Sequence, residues 1–171
     1  VLDDRVGTRG SRLWQLARGI DECTVVPDRE AKSISHETTF PVDIEEPELL
    51  RSRLLGLTEQ VAHRLRHNGL VGRTVSIKVR YSNFKTVTRS STLDQATSVT
   101  RRLWDVAGML LAERLPQPIP PLRLLGVGVS GLEPATRQGE LFGDDSGDDQ
   151  AIDSAVDGIR ERFGSFKLTR G

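Results

Sequence analysis

From Arg73 onward the side chains alternate without a break. Val75, Ile77, Val79 and Tyr81 fall on one side of the chain, and Thr74, Ser76, Lys78, Arg80 and Ser82 on the other. A period of two is the signature of a β-strand, so the pattern predicts a strand over 73–84. It also predicts the kind of sheet, because a strand that is apolar on one side and polar on the other belongs to a sheet with one covered face and one wet face. The rest of the chain has to supply partners for this strand and a cover for its apolar side.

The partners are legible. Lys32 to Phe40 alternates in the same way, with Ile34, His36, Thr38 and Phe40 opposite Ser33, Ser35, Glu37 and Thr39. A turn around Ser82 to Phe84 leads into the Thr- and Ser-rich stretch 85–93, which predicts an antiparallel hairpin. Leu122 to Gly131 reads as the last strand. The cover is legible too. Pro47 opens a helix carrying Leu50, Leu54, Leu57, Val61 and Leu65 at three-and-four spacing, closed by Gly69. A second helix carries Val99, Leu103, Val106 and Leu110 and stops before Pro116, and Gln117 to Pro121 is a stiff connector. Strand, helix, strand, strand, helix, strand predicts an α+β fold: a four-stranded, antiparallel-type mixed sheet with two helices on one face.

Two flanks complete the plan. Leu13, Leu16 and Ile20, with Gly19 near the end, predict a short N-terminal helix, followed by a charged linker from Glu22 to Arg29. Near the other end, the charged residues from Gly143 to Asp157 are all acidic and are expected to form a flexible linker. The overlapping stretch from Ala151 to Gly164 is helix-like, with Ile152, Val156, Ile159 and Phe163 as its stripe.

The length, 171 residues, fits one core with appendages. Cys23 is the single cysteine, which excludes an internal disulfide framework. His63 and His67 lie four apart without a third ligand, so they are expected to be solvated and no metal site is expected. No apolar run reaches the length of a membrane span and no signal pattern opens the chain, so a cytoplasmic, monomeric protein without a membrane partner is the expectation. Val1 stands where a Met would begin a whole chain, which suggests a segment of something longer.

The net charge is zero, but its distribution is uneven. Between Pro47 and Leu93 the basic residues are Arg51, Arg53, Arg64, Arg66, Arg73, Lys78, Arg80, Lys85 and Arg89, against Glu48 and Glu59. Ser33, Ser35, Thr74, Ser76, Lys78, Arg80, Lys85, Thr86, Thr88 and Ser90 are therefore expected to share the wet face. Hydroxyls donate to phosphate oxygens and cations neutralise them, so such a face reads a nucleic-acid backbone rather than bases. The bland reading is ordinary solvent-facing strand residues, common for Ser and Thr. A single-strand RNA- or DNA-binding module shares the element order but needs stacking aromatics, and 85–93 has none. Ser35, His36 and Glu37 are strand neighbours and point to opposite faces, so they form no catalytic group. Past the last strand, Gln138-Gly139-Glu140-Leu141-Phe142 leaves an apolar pair in a polar tail, a pattern suited to another protein's pocket.

Together these residues resemble a family. Lys32-Ser33-Ile34-Ser35-His36-Glu37-Thr38-Thr39-Phe40 resembles the Lys-Ser-x-Ser-x-Glu-x-Thr-Phe signature that opens the little finger of the Y-family translesion DNA polymerases of the polymerase IV (DinB) branch. Residues 10–21 resemble the family's last thumb helix, 73–81 and 122–130 its second and fourth little-finger strands, and Gln138 to Phe142 its sliding-clamp motif. The acidic stretch and last helix resemble tails of actinobacterial members.

The resemblance implies the end of a thumb over 1–21, a linker over 22–31, a little-finger DNA-binding domain over 32–134 and a clamp-binding tail over 135–171. It implies that Lys32 and Arg123 join the face in holding primer-template DNA, and that Gln138, Leu141 and Phe142 hold a β sliding clamp. It implies no chemistry and no cofactor in this segment, the Mg2+ and the catalytic carboxylates belonging to the palm of a longer polymerase. Two departures stand out. Leu124 follows Arg123 where many relatives carry a second basic residue, which puts one phosphate contact in question. Gly139-Glu140 removes an apolar anchor from the clamp motif, so weaker clamp affinity is expected.

Overall fold

In the computed structural model, which describes residues 10–24, 31–135 and 146–164, the alternating stretch is a strand, β2, from Leu70 to Tyr81. Val75, Ile77 and Val79 are fully buried, as the pattern requires. The other strands are β1 (Ser33–Ile44), β3 (Thr86–Thr97) and β4 (Leu122–Pro134). They lie in the order β1-β4-β2-β3 with every neighbouring pair antiparallel, so the sheet has no parallel component. Each strand except β2 runs beyond its expected C-terminal end, and β2 starts three residues early and stops at Tyr81. The turn residues account for that stop: Tyr81 N–H donates to Lys85 O at 3.0 Å, Phe84 N–H donates to Tyr81 O at 2.9 Å, and Phe84 sits at φ 64°. Left-handed backbone at a bulky non-glycine residue ends a strand.

Two helices, α2 (Pro47–His67) and α3 (Thr100–Glu113), cover one face. Leu50, Leu54, Leu57, Val61 and Leu65 of α2 are buried as expected, against Ile77, Leu125 and Val127 of the same cluster. On α3 the stripe is rotated: Leu103, Ala107, Leu110 and Leu111 are buried, Val106 is only half-buried, and Val99 is buried just ahead of the helix. Each fully buried Leu, Ile or Val contributes about 1.5–3 kcal/mol of transfer free energy, so this layer dominates stability.

A separate compact unit comprises residues 1–30, of which 10–24 are described. It holds the short helix α1 (Gly10–Ala17) and a turn closed by an Arg12–Asp21 ion pair. Gly19 supplies φ 73° at the helix exit.

The acidic C-terminal stretch departs from expectation. Helix α4 runs from Ser146 to Phe163, so the residues from Ser146 to Asp157 are not a flexible linker. Two of its acids dock. Asp153, whose side chain is 2 % exposed, accepts from Thr100 N–H at 2.8 Å and from Arg66 Nη1 at 3.1 Å. Val99, the residue before α3, has no side chain able to cap it, so a carboxylate from elsewhere in the chain satisfies that helix N-terminus. Asp157 receives Arg66 Nε at 2.6 Å and Nη2 at 3.0 Å, and lies 2.9 Å from His63 Nδ1. Arg160 donates to buried Glu59 at 2.6 Å. His63 is thus engaged and half-buried rather than solvated. Of the expected apolar stripe, Ile152, Ile159 and Phe163 are exposed and Val156 is half-buried.

Burial acts to raise the Asp157 pKa, but hydrogen bonds and charge from Arg66, with His63 beside it, more than offset this and hold the carboxyl below its ordinary 3.8. A depressed folded value stabilises the fold above the unfolded value and ceases to do so as pH falls through the folded one. The melting-temperature gap between this chain and Asp157→Asn is therefore expected to be present at neutral pH and to close below about pH 4. A gap that persists undiminished at about pH 2 removes Asp157 as its source.

Candidate nucleic-acid interface

The pairing registers fix the wet face as four rows running across β1, β4, β2 and β3. The first is Ser33, Ser130, Thr74 and Thr92; the second is Ser35, Gly128, Ser76 and Ser90. The third is Glu37, Gly126, Lys78 and Thr88, and the fourth is Thr39, Leu124, Arg80 and Thr86. The helices cover the opposite side. Of the expected face residues, Ser33, Ser35, Thr74, Ser76, Lys78, Arg80, Thr86, Thr88 and Ser90 all fall in these rows. No aromatic side chain does.

The remaining expected residues lie outside the rows. Lys32 precedes β1 and is exposed, and Lys85 stands exposed at the β2–β3 turn. Arg123 is turned away: it donates to Asp43 at 3.0 and 3.2 Å, and its guanidinium lies 4.5 Å from the centre of the Phe84 ring. The hydrogen bond to Asp43 holds the Arg123 pKa above its ordinary value. Gln138, Leu141 and Phe142 lie outside the described residues.

The cationic surplus of residues 47–93 is not gathered on this surface. Arg66 is held by α4, and Arg51 lies over Trp104. Arg64 donates to Ser35 O at 3.2 Å, and Arg89 to Arg114 O at 2.9 Å. Lys78 and Arg80 are the cations within the four rows. Lys78 Nζ donates to Glu37 Oε2 at 2.9 Å, and Arg80 Nε donates to Thr86 Oγ1 at 2.9 Å.

Two β4 glycines shape the centre. A Cβ on Gly126 would come 2.8 Å from Glu37 Cβ, and one on Gly128 would come 3.1 Å from Ser76 Oγ and 3.3 Å from Ser35 Cβ. With no side chain at either position, the β4 backbone forms the floor of a furrow flanked by Ser35 and Glu37 on one side and by Ser76 and Lys78 on the other. Ser76 Oγ donates to Gly128 O of that floor at 3.2 Å. Glu37, Thr39, Leu124, Ser130, Thr92 and the glycines were missing from the expected set. For Thr39 the signal was present in the parity of β1; for the β4 residues it needed the strand order.

Among the described residues no group of three or more His, Cys, Asp or Glu is placed to hold a metal ion. The Mg2+ that the resemblance implies for a longer polymerase therefore has no fitting ligand set among them. Among the described residues no helix is long and apolar enough to cross a membrane.

A family model described as the impB/mucB/samB family C-terminal domain matches residues 31–141, a span that takes in the whole sheet and both covering helices. The chain belongs to the impB/mucB/samB family. Among curated relatives, DNA polymerase IV 1 of Mesorhizobium japonicum is 38 % identical over 169 residues, covering 98 % of this chain and 38 % of that protein. DNA polymerase IV of Caulobacter vibrioides is 36 % identical over 172 residues, covering 100 % of this chain and 42 % of that protein. DNA polymerase IV of Methanoculleus marisnigri is 44 % identical over 138 residues, covering 80 % of this chain and 38 % of that protein. The chain thus spans about two-fifths of the length of these relatives. The Y-family, DinB-type resemblance read from residues 32–40 is borne out, and so is the α+β architecture. In this impB/mucB/samB domain, the signature residues Ser33, Ser35, Glu37 and Thr39 are the β1 contribution to the wet face.

Proposed function

We propose that the wet face of the sheet grips the sugar-phosphate backbone of primer-template DNA. In this reading the chain is the non-catalytic little-finger and clamp-binding part of an error-prone DNA polymerase IV that supports lesion bypass. One observation carries it: of sixteen positions in four rows, ten present hydroxyls and two present cations, beside one carboxylate, one leucine and two glycines that floor a furrow, with the apolar side of the sheet already covered. Hydroxyls suit phosphate oxygens, the two glycines leave room for them, and Lys78 and Arg80 supply the charge-assisted bonds. The rows hold no aromatic on which bases would stack, which disfavours the single-strand RNA- or DNA-binding alternative.

The polymerase names of the relatives support the same reading, with primer-template DNA as the partner and the cytoplasmic nucleoid as the location. The chain acts as a monomer, and Mg2+ chemistry belongs to other parts of a longer polymerase. Gln138, Leu141 and Phe142 tether the domain to a β sliding clamp, Gln138 by hydrogen bonds and the other two as apolar anchors. Such a tether raises the local concentration at the primer end without adding DNA contacts.

The expected result is salt-dependent, sequence-tolerant binding to duplex DNA. Lys78→Ala with Arg80→Ala weakens it about tenfold or more and flattens the slope of log affinity against log salt by more than about 1. Leu141→Ala with Phe142→Ala abolishes binding to a purified clamp and leaves duplex affinity unchanged. Duplex binding indifferent to Lys78 and Arg80 removes the first assignment; clamp binding by the double variant removes the second.

A further inference from the structure

Glu37 is the one carboxylate within the four rows, and it stands on the edge strand β1 of a surface read here as phosphate-binding. It is not there for stability. Its side chain is 50 % exposed and that of Lys78 41 %, and an ion pair so exposed contributes about 0–1 kcal/mol. The chain nevertheless makes room for it. Glu37 and Lys78 both pair with Gly126, one from each side, and their 2.9 Å contact passes over that glycine, where any Cβ would strike Glu37.

The charge arithmetic gives the pair its meaning. Lys78 and Arg80 contribute two positive charges and Glu37 one negative, so the rows carry a net charge of +1, half of what the cations alone would give. We propose that Glu37 is a built-in brake on DNA affinity: it holds Lys78 across the furrow in the free protein and opposes its transfer to phosphate when DNA arrives. The weak, exposed pair exchanges readily, because a phosphate oxygen accepts the same Lys78 proton. The cost is the carboxylate left beside a phosphate. The face therefore grips the backbone reversibly, as a module that must slide with the primer end requires.

This inference rests on the DNA-binding reading and is separable from it. The full 171-residue chain is titrated with a mixed-sequence DNA duplex at several salt concentrations, as wild type, Glu37→Gln, Glu37→Thr, Lys78→Ala and Arg80→Ala. Gln keeps the size of Glu, Thr is at home on a strand, and melting curves check that each variant is folded. Removing Glu37 is expected to tighten binding several-fold and steepen the salt slope by about 1, so that the advantage grows about threefold between about 200 and 50 mM salt. Binding by both Glu37 variants that is unchanged or weaker, at an unchanged slope, while Lys78→Ala and Arg80→Ala still lose affinity, overturns the brake and leaves the DNA reading intact. Indifference to all four substitutions overturns both.

Discussion

Replacing Arg66 with alanine is expected to release α4 and to lower stability by about 3 kcal/mol. Arg66 is the hub of the contact: it binds Asp157 through two nitrogens, Asp153 through a third contact, and Ser98 O and Thr100 Oγ1 at 2.8 and 3.1 Å. Deleting one member of such a cluster leaves the carboxylates under-compensated, and the deficit exceeds what the pairing gained. The loss is bounded, because α4 can lift off and return its acids to water. Lifting off in turn removes the Asp153 carboxylate from Thr100 N–H and uncaps α3. Hydrogen exchange should show α4 losing protection first, with α3 weakened from its N-terminus. Intact α4 protection in folded Arg66→Ala protein would show that another contact holds the helix.

Gly72→Ala is the second large effect, about 1–3 kcal/mol or more through overpacking. Gly72 lies in β2 opposite Leu132 of β4 and Thr97 of β3, next to an irregularity in the β2–β3 register. A Cβ there would come 2.3 Å from Val129 Cγ1 and 3.0 Å from Leu132 Cδ2. Val129 is fully buried, so it has no free volume into which to retreat. Relief has to come from the backbone of two strands at once. Denaturant titration of the variant should show a lower midpoint, and an unchanged midpoint would mean that the register irregularity absorbs the methyl group.

The layered core was legible because it is written in local periodicity. Val75, Ile77 and Val79 declare a strand by themselves, and Leu50 to Leu65 declare a helix by themselves. The seryl and threonyl positions of the wet face followed from the same parity. What was not legible depends on residues far apart in the chain. Arg66 and Asp157 are separated by 91 positions, and composition alone made the one look like DNA-seeking charge and the other like linker. The contacts of Arg123 were not legible for the same cause, since Asp43 and Phe84 meet it only through the fold. Helix α4 shows the limit of the apolar-stripe rule, because a carboxylate that satisfies a helix end and an arginine can dock a helix by its polar side.

The strand order has a consequence for biogenesis. β4, the last strand of the sheet to be synthesised, lies between β1 and β2 and carries the hydrogen-bonded ladder to each of them. Until Leu122 to Pro134 leave the ribosome, the nascent chain holds a hairpin and a solitary strand, each with an unpaired edge. Closure of the sheet is therefore a late, long-range event, and a chain that terminates before β4 is destined for chaperones or proteases rather than for a smaller folded product.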